Sequence, residues 1–111
     1  MSDFVSIQRL WKEHLRRPFP PGLAGEKVEG ECLVMLDANA AGCITAFLRG
    51  TRTPGLDATR LRILGECAAN LSRIGPQLPD EHRAYFDTLR EISERVVRFC
   101  RRGSDERHII T

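Results

Sequence analysis

The chain has almost no lysine. Of its 17 basic residues only Lys12 and Lys27 are lysine, and the other fifteen are arginine. Such a bias follows from GC-rich coding, or it serves bidentate recognition of carboxylate or phosphate, which arginine does better than lysine. No apolar run approaches the ~18 residues of a membrane span, so no membrane partner is expected. The opening Met1-Ser2-Asp3-Phe4 lacks the basic start and apolar core of a secretory signal. The expected location is the cytoplasm.

Close cysteine pairs are also missing. Cys32, Cys43, Cys67 and Cys100 are widely spaced and form no C-x-x-C motif. Structural zinc sites draw their ligands in such pairs, so neither the cysteines nor His14, His82 and His108 read as a metal set. In a reducing compartment the four are expected as buried thiols. There is no Glu-x-x-His pair of a di-iron bundle, no G-x-G-x-x-G and no G-x-x-x-x-G-K-[ST] loop. No cofactor and no metal are expected. A net charge of +2 is too small to imply a polyanionic partner by itself.

What is present is helical pattern. The 111 residues suit one domain, and 41% apolar with 29% charged residues is ordinary for a globular chain. Phe4, Ile7, Trp11 and Leu15 recur at three- and four-residue steps and predict an amphipathic helix from Asp3 to about Arg16. Leu61, Leu64, Cys67, Ala68 and Leu71 predict a helix from an Asp57 cap to Ile74, stopped by Gly75-Pro76. Tyr85, Phe86, Leu89, Ile92, Val96, Phe99 and Cys100 give the clearest stripe, from Asp80 to Arg102, closed by Gly103. Its opposite face carries Arg83/Asp87, Arg90/Glu94, Glu91/Arg95 and Glu94/Arg98 at i,i+4 spacing.

Residues 28–48 allow two readings. The alanines at 38, 40, 41 and 46 favour a helix that is apolar nearly all round, with Gly42 permitting close packing. The alternation of Val28, Cys32, Val34 and Leu36 with Lys27, Glu29 and Glu31 instead suggests a hairpin that turns at Asp37-Ala38-Asn39 into a second strand, hence an α+β fold. The helical reading makes the chain all-α: a small four-helix bundle with a Pro/Gly-rich connector after the first helix. The bundle is expected as a single domain over residues 1–103, with a flexible C-terminal tail over 104–111.

The connector begins Arg17-Pro18-Phe19-Pro20-Pro21-Gly22-Leu23. Proline fixes φ and removes a donor, so the run is neither helix interior nor central strand. It presents Phe19 either to the bundle, with Trp11 as its expected partner, or to an outside partner. Asp37 sits in the most apolar stretch. It is either paired structurally, with Arg17, Arg60 or Arg62, or it faces a ligand. Cys43 is either a packing thiol or a nucleophile, and the second needs an electropositive setting and a base. Arg17, Phe19, Asp37, Asn39 and Cys43 are therefore the candidate ligand-binding residues. No catalytic set is assigned.

Two blocks, Arg17 to Leu23 and Leu33-Val-Met-Leu-Asp-Ala-Asn-Ala-Ala-Gly-Cys-Ile44, resemble blocks in small uncharacterised proteins of GC-rich bacteria. The resemblance covers most of residues 9–100. It implies a bacterial origin and a free-standing domain, and carries no activity or site residue with it. The function expected is non-catalytic: protein–protein interaction or regulation, through another protein or a second copy. A ligand-binding or catalytic pocket around Asp37 and Cys43 is the alternative. Nucleic-acid binding by the Arg49–Arg73 region is a third reading, and the long loop before Asp57 argues against it.

Overall fold

The computed structural model describes residues 3–23, 25–50 and 55–110, with side chains described as far as Arg102. The first helix, α1 (Asp3–His14), buries Ile7, Trp11 and His14. The sequence stripe placed Leu15 on that face. The structure leaves Leu15 63% exposed and turns His14 inward. Helical period explains the exchange. Seven residues from Ile7 complete two turns to within about 20°, so His14 lies in line with it, and residue 15 falls about 100° further round.

Beyond the proline run the chain forms a small hairpin, β1 (Lys27–Val28) and β2 (Glu31–Cys32). The strands are antiparallel, with Lys27 opposite Cys32 and Val28 opposite Glu31. Glu29 and Gly30 form the turn with φ of 50° and 82°. Positive φ at both central residues is the hairpin turn that matches strand twist. Arg73 Nε holds the Glu29 carboxylate at 2.9 Å and ties the hairpin to the bundle.

This is not the hairpin of the strand alternative, whose turn at Asp37-Ala38-Asn39 lies inside a helix: β2 runs straight into α2 (Leu33–Leu48). Cys32 caps α2 without a side-chain hydrogen bond. The Leu33 N–H instead donates to the Glu26 carbonyl at 3.2 Å, across the hairpin. One face of α2 buries Leu33, Leu36, Ala40, Cys43, Ile44 and Phe47. The other leaves Val34 39% and Met35 57% exposed, so the helix is not covered all round. Gly42 lies on that open side. A Cβ there would meet nothing within 4 Å, so it does not serve close packing.

Asp57 caps α3 (Ala58–Ile74) by accepting from the Arg60 N–H at 2.8 Å. Gly75 ends α3 and opens a 3-10 turn, Gly75–Gln77. The last helix, α4, runs Asp80–Ile110. It passes through Gly103, where the stripe had ended it. A glycine costs about 1 kcal/mol in a helix interior, too little to stop a long one.

The result is an all-α bundle of four helices among the described residues. Phe4 meets Phe99 at one end of α1, and His14 meets Tyr85 at the other. Helices α1 and α4 therefore run antiparallel. Helix α3 packs on both α2 and α4, and the core runs between them through Leu36, Phe47, Leu64, Leu71, Phe86, Leu89, Ile92 and Val96. Ser93 is buried in that core and donates to the Leu89 carbonyl at 2.8 Å.

Candidate functional site

Buried and half-buried polar and aromatic groups converge where α1 ends. The Tyr85 hydroxyl donates to Asp37 Oδ1 at 2.7 Å. The His14 ring lies 4.5 Å from that of Tyr85 and stacks on Trp11 at 5.5 Å. Phe19 closes the group edge-on, 5.8 Å from Tyr85 and 5.9 Å from Phe86. So Phe19 faces the bundle, and its partners are on α4 rather than Trp11. Its stiff flanking prolines hold it there at little entropic cost.

Burial dominates the electrostatics. It lowers the His14 pKa, with the Asp37 charge opposing and Arg17 reinforcing the shift. It raises the Tyr85 pKa, with help from the hydrogen bond to Asp37 and the Asp37 charge. Both groups are therefore neutral at pH 7: Tyr85 keeps the proton it donates, and His14 does not take one up. His14 Nδ1 is buried and has no hydrogen-bond partner among the described residues. Tyrosine and histidine held this way tie three segments together. They are poorly placed to shuttle protons.

The five sequence candidates do not meet in one pocket. Asp37 and Cys43 are six residues apart on α2, which sets them about 120° apart around the helix. Asp37 faces Tyr85 on α4. The Cys43 thiol faces α3 and donates to the Arg60 carbonyl at 3.6 Å. Burial raises the Cys43 pKa, and the nearby Arg60 only partly offsets it. Burial likewise pushes Cys67 up to about 11. Thiols held protonated are poor nucleophiles. Asn39 is exposed. Arg17 reaches Thr88 Oγ1 at 3.4 Å and borders an open groove of about 400 Å³ with Pro18, Pro20, Glu81, His82 and Tyr85.

Two features escaped the sequence reading. One is the role of His14 and Tyr85, although the seven-residue step from Ile7 to His14 marks the first. The other is a groove of about 420 Å³ beside α1, lined by Val5, Gln8, Arg9, Trp11, Lys12 and Leu48. The arginines from 49 to 73 are mostly engaged. Arg60 is bonded to Asp57, Arg62 lies 3.6 Å from Glu66 and Arg73 holds Glu29; Arg52 lies outside the described residues.

Among the described residues no three His, Cys, Asp or Glu side chains are grouped to hold a metal ion, and no helix is long and apolar enough to cross a membrane. Fold and sites together define a small helical bundle with open grooves. No protein-family model matches the chain, no curated protein matches it, and no solved structure matches it.

Proposed function

We propose that this protein is a non-catalytic interaction domain, and that the seam between α1 and α2 receives an amphipathic helix of a protein partner. The observation that carries this reading is the open seam itself. Helix α1 packs mainly on α4, and meets α2 through Phe4 on Phe47 with ring centroids 5.6 Å apart. That leaves the groove at Trp11 and Leu48 open, and Val34 shares the Leu48 face of α2 at two seven-residue steps. Apolar lining with a polar rim marks a docking surface. The rim is basic, with Arg9 and Lys12 exposed, so the partner helix carries acidic residues at its edge. The resemblance to small bacterial proteins fits a free-standing adaptor of this kind in a bacterial cytoplasm.

The test is a charge change, Gln8→Glu with Arg9→Glu, at two exposed positions that leave the core and the Lys12 amine alone. Partners held by the wild-type chain are cross-linked through Lys12 and the linked segments sequenced. The reading expects acidic amphipathic segments, lost on the charge change. A second copy of this chain linked through the same groove makes the domain a homodimer. Partners that survive the charge change, or that link elsewhere, overturn the assignment of the seam.

A further inference from the structure

Along α4, Arg95, Arg98 and Arg102 recur at steps of three and four, and so share one face. With Asp3, Ile7 and Phe99 they line a cleft of about 190 Å³ where α1 begins. Arginine bias alone says nothing about a ligand, but the pairing in this cleft does. Arg102 holds Asp3 at 2.8 Å, and Arg95 holds Glu91 at 3.1 Å. Arg98 should have taken Glu94, four residues before it. Arg90 takes Glu94 instead, at 3.2 Å, and Arg98 is left without a carboxylate among the described residues. Arg95 Nε is buried and has no hydrogen-bond partner among the described residues. Three guanidinium groups thus face one small cleft with only Asp3 among its lining residues to oppose them. A buried donor without a partner calls for an ion or a water to complete it.

We propose that this cleft is an oxyanion site that takes a phosphate group, as free phosphate or as the phosphate end of a small organic molecule. Arginine forks match phosphate oxygens in pairs, and bonds between two charged groups are the strong ones. Arg98 supplies donors that no carboxylate of the described residues holds. Arg102 supplies more by releasing Asp3, so the aspartate is a built-in competitor for the anion. Phe99 and Ile7 give the cleft an apolar wall, against which a short carbon chain would lie. A dianion suits three arginines better than a single carboxylate does.

The experiment is an NMR titration of the full chain, following backbone amides and arginine Nε–H signals, with inorganic phosphate in one arm and glycerol phosphate in the other. Saturable shifts at Arg95, Arg98 and Phe99 are expected, with a Kd on the order of 1 mM or tighter. Saturation by glycerol phosphate at a lower concentration identifies an organic phosphate, and equal saturation identifies phosphate itself. Arg98→Gln should weaken binding about tenfold. Asp3→Asn should tighten it a few-fold by removing the competitor, a change of sign that mere unfolding would not produce. Shifts that never saturate, that spread evenly over Arg16, Arg49 and Arg62, or that ignore both substitutions overturn the proposal.

Discussion

The two ends of α1 meet α4 through aromatic clusters of opposite character. At its start, Phe4, Phe47 and Phe99 pack ring against ring at 5.3–6.5 Å, with charge kept outside on the arginines. At its finish, Trp11 and Tyr85 flank His14, Phe19 packs on Tyr85, and the Tyr85 hydroxyl bonds the Asp37 carboxylate of α2. The three rings of the first end are held by dispersion and area, which do not depend on pH. The second depends on the protonation of specific atoms. One helix is therefore fastened twice by different physics, and the two fastenings respond to different insults.

The comparison breaks most visibly at Phe47, which is fully buried between the other two rings. Phe47→Ala should cost about 3–5 kcal/mol, read by urea denaturation, with the same loss at pH 5.5 and pH 8. A loss that varied with pH would erase the contrast between the ends. At the other end, Tyr85→Phe removes one hydroxyl and leaves an Asp37 oxygen short of a donor, which should cost about 1–3 kcal/mol. If that variant unfolds within about 0.5 kcal/mol of wild type, the Tyr85–Asp37 bond is not what holds this end.

The third prediction concerns pH. His14 has a folded pKa below its ordinary 6.5. On acidification the unfolded chain takes up its proton first. Stability contributed through His14 is therefore constant above about pH 6.5 and falls as pH drops from there toward the lowered folded value. The slope within that window is at most about 1.4 kcal/mol per pH unit. In His14→Phe, which can keep the ring stacked on Trp11, this part of the slope should vanish. Equal slopes in both proteins would show that histidine is a bystander. The smallest effect sharpens the comparison by strengthening the helix common to both ends. Gly42→Ala lies in open space on α2 and should add about 0.5–1 kcal/mol, seen as a higher denaturation midpoint.

Local signals were legible in the sequence, and competition between partners was not. Asp57 as a cap, Gly75-Pro76 as a stop and the Phe86–Leu89–Ile92–Val96 stripe each depend on neighbours within a turn or two, and each is present. The i,i+4 ladder of α4 was legible only in part. Arg90–Glu94 and Arg95–Glu91 form, but Arg83 turns back to Asp80 at 3.3 Å, and Glu94 can serve only one arginine. The Asp37–Tyr85 bond spans 48 positions, so no local pattern announces it. The hairpin and helix readings of 28–48 were both real patterns. The chain turns at Glu29-Gly30 rather than at 37–39, and from Leu33 on the alanine-rich stretch is helix.

The Asp3–Arg102 bridge also sets a timetable. Helix α1 leaves the ribosome well before its partners Tyr85 to Arg102. At about 5–20 residues per second, the roughly 70 residues between His14 and Tyr85 take on the order of 4–14 s to synthesise. A twelve-residue helix is marginal alone, so for those seconds Ile7 and Trp11 face water on a segment that flickers. A helix made early thus finds its place late, and anything in the cell that recognises bare apolar helices meets it in the interval.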